Sequence, residues 1–359
     1  LIKKKIIEVQ SGMLLKNLMC IILKENLILR CTPGSKYLTV GGMIASNIQG
    51  KCTNLNNIKY YINSLKILNN KNKIIYCSKK VNKKYFDLTI GGFGFTGPII
   101  SAEFKLDKVA SRNINQKIIP FYNYQNFYKH FLTKNEYQYS VVWIDAIKDK
   151  FSGLIINGNH SSEKVTLNSK KDIYLPFFLI KFLSFIVYKK IFIQLFNKIF
   201  YYKKLFNSKK IVHLYDFFFP QDAILNYNQL FKKNGFYQFQ FSISIKNIEK
   251  IINEIKKKLR HIKVYSNFCV IKFMNNKEDI NRLSLSMDIP INNNSIKIRK
   301  ILNDITKKYE LDINLSKDLI LYGYNKNIEN SNPFLKKKNK SFFFENHTSQ
   351  MIKRLKKIN

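Results

Sequence analysis

Arginine is scarce in this chain. Only Arg30, Arg112, Arg260, Arg282, Arg299 and Arg354 occur among 62 Lys and Arg residues, set against 23 Asp and Glu for a net charge of +39 over 359 residues. Arginine supplies most bidentate contacts to bases and phosphates, so its shortage argues against a nucleic-acid partner despite the charge. Lys, Asn, Ile, Phe and Tyr are all abundant. All have A/T-rich codons, and that bias accounts for much of the charge without any partner. What the charge does suit is an anionic membrane surface or a phosphate-bearing substrate.

Cysteine is also short. Cys20, Cys31, Cys52, Cys77 and Cys269 form no CxxC pair and are odd in number, which excludes a disulfide scaffold and a zinc ribbon. Reduced thiols in a cytoplasmic protein are the expectation. The five His are scattered with no HExxH spacing, so no metal site is expected. Seven Pro and thirteen Gly are too few for a linker-rich chain, and 45% hydrophobic residues are enough for about two folded domains.

Long uncharged apolar runs are missing too. Residues 175–202 are very apolar, but Lys181, Lys189, Lys190 and Lys198 interrupt them. A spanning helix needs about 20 mostly apolar residues. We therefore expect no transmembrane helix; a core segment with a loop, or a surface-seeking or substrate-covering segment, are the readings left open.

The glycines that are present sit early. Gly34, Gly41, Gly42, Gly50, Gly91, Gly92, Gly94 and Gly97 fall in the first third. Glycine lets backbone approach a ligand closely, so either a cofactor site or ordinary turns are expected there. Ile2–Val9 reads as one strand and Met13–Asn26 has helical spacing. The segments 141–146 and 153–156 read as buried strands, and 247–259 and 298–309 as helices. Phe236, Gln238, Gln240 and Ser242 alternate at period two, which sets two amides on one face of a strand. These elements together predict an α+β fold.

Gly92-Phe93-Gly94-Phe95-Thr96-Gly97 matches G-x-G-x-x-G. A dinucleotide fold needs that run to open a helix. Here Pro98 follows, and then Ile99–Leu106 reads as a strand. The Rossmann reading fails on context.

Seven stretches carry a resemblance. Thr32–Lys51 (TPGSKYLTVGGMIASNIQGK) resembles the PG…TVGGxIxSxxxGK signature of FAD-linked oxidases with the vanillyl-alcohol-oxidase-type (PCMH/VAO) fold. Ile90–Gly97 resembles their second flavin loop. Val142–Ala146, Phe219–Asp222, Gly235–Phe241, Met287–Pro290 and Ser316–Asp318 follow in order, at about the spacings of the decaprenylphosphoryl-ribose oxidase group of that family.

The resemblance implies an FAD-binding domain over 1–110, a substrate domain over 111–311 with an antiparallel sheet flanked by helices, and a C-terminal return of 312–359 to the FAD domain. It implies non-covalent FAD held by Pro33, Gly34, Ser35, Thr39, Val40, Gly41, Gly42, Ser46, Asn47, Ile48, Gln49, Gly97, Pro98 and Asn314. Lys51, Gln238, Gln240, Lys272 and Ser286 would hold substrate, and Lys317 would be catalytic. A cation there suits charge developing on a reduced flavin or an alkoxide. The implied reaction oxidises a secondary hydroxyl of a polyprenyl-phosphate-linked sugar by hydride transfer to flavin N5. A short-chain reductase partner would complete an epimerisation. The expected location is cytoplasmic, or peripheral at the cytoplasmic membrane face.

The chain departs from the family's pattern in places. Gln49 stands where the family has His, Ser286 where it has Cys, and Phe218-Phe219 where it has Tyr-His. The first excludes a covalent His–flavin bond at that position. The family also carries a βαβ unit ahead of the strand equivalent to Ile6–Val9. The expectation is that the chain alone binds FAD poorly and exposes a raw strand edge. An aldonolactone oxidase of the same fold, or a non-catalytic remnant binding membrane surfaces, are the rival readings.

Overall fold

A computed structural model describes residues 2–69, 71–133, 136–163, 167–231, 235–274, 282–314 and 316–317. The chain divides into two compact units. Within the described residues the first takes in residues up to Gly50 and Leu55–Arg112, and the second Lys51–Asn54 and Asn113 onward.

The first unit is built on a sheet of order β1-β2-β6-β4-β5. Its elements run β1 (Ile2–Lys3), β2 (Ile6–Gln10), α1 (Leu15–Ile22), β3 (Leu27–Ile28), α2 (Val40–Ala45), β4 (Ile62–Leu68), β5 (Ile74–Ser78), α3 (Lys83–Thr89), β6 (Ile99–Lys105) and β7 (Asp107–Lys108). The strand expected over Ile2–Val9 is instead a hairpin. Lys4 and Lys5 both take positive φ (47° and 64°), the geometry of a tight two-residue turn that suits twisted strands. Helix α1 buries Leu15, Leu18, Met19 and Ile22 at helical spacing, and Asn26 closes the turn that follows in the left-handed region.

The second unit carries a sheet of order β11-β8-β10-β9-β13-β14-β12-β15. Its elements run β8 (Asn113–Phe121), α4 (Tyr124–Phe127), β9 (Tyr139–Ile144), β10 (Gly153–His160), α5 (Phe177–Ile186), α6 (Lys190–Phe206), β11 (Lys209–His213), α7 (Leu214–Phe218), β12 (Phe236–Ser244), α8 (Ile248–His261), β13 (Phe268–Phe273), β14 (Arg282–Pro290), α9 (Ser295–Tyr309) and β15 (Asp312–Ile313). Every paired strand is antiparallel. Helix α8 buries Ile248, Ile251, Ile252, Ile255 and Leu259, one apolar stripe with lysines opposite. Trp143, Ile118 and Leu154 form a core on the sheet, packed by Phe200, Tyr201 and Leu205 of α6. Leu154 lies opposite both Trp143 and Pro120 in the ladder, so its neighbours share its face.

Two boundaries differ from the sequence expectation. Lys51–Asn54 belongs to the second unit, where Cys52 bridges Tyr139 and the Ser140 amide donates to the Lys51 carbonyl at 2.8 Å. At the other end, residues 312–317 also stay with it, because β15 pairs with β12. Residues 318–359, most of the expected C-terminal return, lie outside the described residues.

Candidate functional site

The first unit gathers the two glycine-bearing segments. Thr39 caps α2 by accepting the Gly42 amide at 3.2 Å. The Gly41 amide donates to the Ser11 carbonyl at 2.7 Å, and a Cβ on Gly41 would meet the Ser11 Cβ at 3.0 Å. Glycine there lets the start of α2 lie directly on the chain leaving β2. At the other end of α2, the amides of Gly91 and Phe93 donate to the carbonyls of Ile44 and Ala45, both at 3.0 Å. The loop at 91–97 therefore satisfies the orphan carbonyls of the helix. Gly97, buried at φ 115°, closes the loop, and the Pro98 carbonyl accepts the Leu68 amide at 2.9 Å.

The expected cofactor residues divide by exposure. Pro33, Val40 and Gly97 are buried anchors. Gly34, Thr39 and Gly42 are exposed, while Ser35, Gly41, Ser46, Asn47, Ile48, Gln49 and Pro98 are half-buried. A Cβ on Gly34 would meet nothing within 4 Å. The accessible set offers hydroxyls, amides and main-chain N–H groups and no carboxylate, a donor set suited to flavin and diphosphate oxygens. Asn47 sits in the left-handed region at φ 41°, and its Oδ1 is buried with no hydrogen-bond partner among the described residues. An orphan acceptor of this kind costs about 1–3 kcal/mol, and a ring N–H would relieve it. These residues fit FAD.

The second unit holds four of the expected substrate residues, Gln238, Gln240, Lys272 and Ser286, on one face of its sheet. In the β12–β14 ladder Gln238 lies opposite Asp288 and Gln240 opposite Ser286; in the β13–β14 ladder Lys272 lies opposite Ser284. Side chains at alternate positions share a face, so Gln238, Gln240, Lys272, Ser284, Ser286 and Asp288 stand together. The Gln240 Nε2 donates to Ser284 Oγ and the Gln238 Nε2 to Asp288 Oδ1, each at 2.9 Å. The two amides are thus fixed by neighbours rather than swinging loose. Sequence reasoning missed Ser284 and Asp288. The signal was there: Ser284, Ser286 and Asp288 alternate along β14.

Lys317 and Asn314 attach to the same strand. The Asn314 amide donates to the Gln240 carbonyl at 2.9 Å, and the Lys317 amide donates to the Asn314 carbonyl at 3.1 Å. The Asn314 Oδ1 accepts from the Ser316 amide and hydroxyl, at 3.0 and 2.6 Å, so its side chain shapes this turn.

Lys51 is buried. Its Nζ donates to the carbonyls of Phe217 and Phe218, the latter at 3.1 Å. Burial pushes its ammonium well below the usual lysine range, and the positive charges of Lys272 and Lys204 push it further. Lys204 is itself pushed down to about 8 by burial and by Lys210, Lys170 and Lys203. Lys272 and Lys204 thus each lie within electrostatic reach of Lys51, a basic surrounding that suits a phosphate. Phe218 and Phe219, where the resembled family has Tyr-His, are both buried. Among the described residues no cluster of His, Cys, Asp and Glu could hold a metal.

Residues 2–78 match the family described as an FAD binding domain. Over 268 residues, 68% of this chain, the sequence is 24% identical to the decaprenylphosphoryl-β-D-ribose oxidase of Mycolicibacterium smegmatis. The matched part spans 56%, about half, of that relative's length. The first unit thus carries an FAD binding domain over residues 2–78.

Proposed function

We propose that this chain is the FAD-dependent oxidase component acting on a secondary hydroxyl of a polyprenyl-phosphate-linked sugar, as the first half of an epimerisation completed by a short-chain reductase. The observation that carries the reading is the polar, cationic sheet face of the second unit, in a chain whose other unit is an FAD-binding domain. Bound FAD supplies the hydride acceptor. Gln238 and Gln240, held by Asp288 and Ser284, orient sugar hydroxyls. Ser286 adds a hydroxyl on the same face. Lys272, within electrostatic reach of Lys51, draws the phosphate of the substrate. Lys317 adds a cation on the turn tied to Gln240. A lipid-linked substrate places the protein peripherally at a membrane face. No helix among the described residues is long and apolar enough to cross one.

The test is anaerobic. The purified chain is loaded with FAD, and its flavin absorbance is followed on adding substrate. Bleaching by a polyprenyl-phosphate-linked pentose supports the reading. Bleaching by a free sugar lactone instead would assign an aldonolactone oxidase. A chain that takes up no flavin would be a remnant.

A further inference from the structure

Helices α5 and α6 in the second unit turn apolar surface outward. α5 buries Ile180 and Ser184 and leaves Phe178, Phe182 and Phe185 exposed, at 74%, 62% and 60% of their surface. α6 buries Ile193 and Asn197, the latter donating to Asp145 Oδ1 at 2.8 Å. Its outward stripe is Ile191, Leu195, Ile199, Tyr202 and Phe206, spaced by three and four residues, with Phe206 at 92%. Neither helix needs that face for its own packing. The sequence had left residues 175–202 open between core and surface; the structure places their aromatic face on the surface.

Charge identifies what the face meets. From Ile173 to Tyr215 the chain has no acidic residue and eight lysines. Lys181, Lys189, Lys190, Lys198 and Lys203 are exposed among the apolar side chains. Two copies of a chain carrying +39 repel each other across such a face, which argues against self-association. Rings and aliphatic chains flanked by long ammonium side chains suit lipid acyl chains under anionic headgroups, where lysine stems lie along the apolar layer and their ends reach the phosphates. Helices of 10 and 17 residues lie on such a layer rather than crossing it.

We propose that α5 and α6 form the membrane-docking surface of this protein, lying in the headgroup layer of an anionic bilayer. This rests on the peripheral placement proposed above and assigns it to named side chains. The test is flotation of the FAD-loaded chain with vesicles of phosphatidylcholine alone or mixed with phosphatidylglycerol. The parent chain is expected to float with the anionic vesicles, and less so at high salt. Phe178→Ser with Phe182→Ser and Phe185→Ser, and separately Leu195→Gln with Ile199→Gln and Phe206→Gln, should each lower that partition roughly tenfold or more. Lys198→Glu with Lys203→Glu should abolish the preference for anionic over neutral vesicles. These exposed substitutions leave melting temperature and flavin uptake unchanged, which separates loss of docking from loss of fold. Unaltered flotation of the variants overturns the proposal. So does a parent chain that ignores vesicles but forms a dimer that the same variants dissolve. Flotation without flavin bleaching would leave docking intact and sink the oxidase reading alone.

Discussion

The main-chain amide of Asn314 donates to the carbonyl of Gln240 at 2.9 Å. One bond thus hangs the turn carrying Lys317 on the strand that carries the two amides of the candidate substrate face. The Asn314 side chain tightens the turn by accepting from Ser316. A lysine held this way can be removed without disturbing the sheet.

Lys317→Ala should therefore fold like the parent, with an unchanged melting temperature. Its rate of flavin reduction by substrate should fall about 100-fold or more, the usual cost of deleting one charge-stabilising donor. Stopped-flow absorbance measures this directly. A rate within a few-fold of the parent would remove Lys317 from the reaction.

The flavin segment offers a paired test. A Cβ on Gly41 would press on Ser11, so Gly41→Ala should destabilise the first unit by about 1–3 kcal/mol. Gly34 has open space, and Gly34→Ala should leave stability unchanged. Loss of flavin in Gly34→Ala without loss of stability would locate cofactor contact at Gly34. Equal melting temperatures for the two variants would contradict the packing described at Ser11.

Lys272 stands opposite Ser284 on the substrate face and adds to the positive field at Lys51. Lys272→Ala should raise KM for a phosphate-linked substrate roughly tenfold while kcat changes little, since the contact is made before and during reaction alike. The salt dependence of kcat/KM should flatten as well. A fall in kcat with KM unchanged would make Lys272 a participant in the chemical step instead.

Much of this was legible in the sequence because it rests on local patterning. Alternation over Phe236–Ser242 set Gln238 and Gln240 on one face, and the ladder with β14 agrees. Pro98 after Gly97 ruled out a helix, and β6 follows. What stayed hidden depends on chain partners distant in sequence. Ser284 gains meaning only from its bond to Gln240, 44 residues away. Lys51 was expected at the substrate, but its burial against the Phe217 and Phe218 carbonyls, more than 160 positions away, was not legible. The Lys4-Lys5 turn was hidden for a different reason: lysine carries no turn signal, and the pairing of Ile2 with Ile7 imposes it.

Lys51 also makes stability depend on pH. Its folded pKa lies well below 10.5 because it is buried and faces Lys272 and Lys204. Between that lowered value and about 10.5 the unfolded chain binds more protons than the folded one. Stability contributed at this site therefore rises with pH through that window, and below it the buried charge is a fixed cost. Lys51→Met removes the charge and the slope with it, and it leaves the Phe217 and Phe218 carbonyls without their donor, a loss of about 1–3 kcal/mol. Urea midpoints from neutral to alkaline pH should show the parent gaining on the variant as pH rises. A parent–variant gap that stays flat with pH would mean Lys51 is not the buried cation described here.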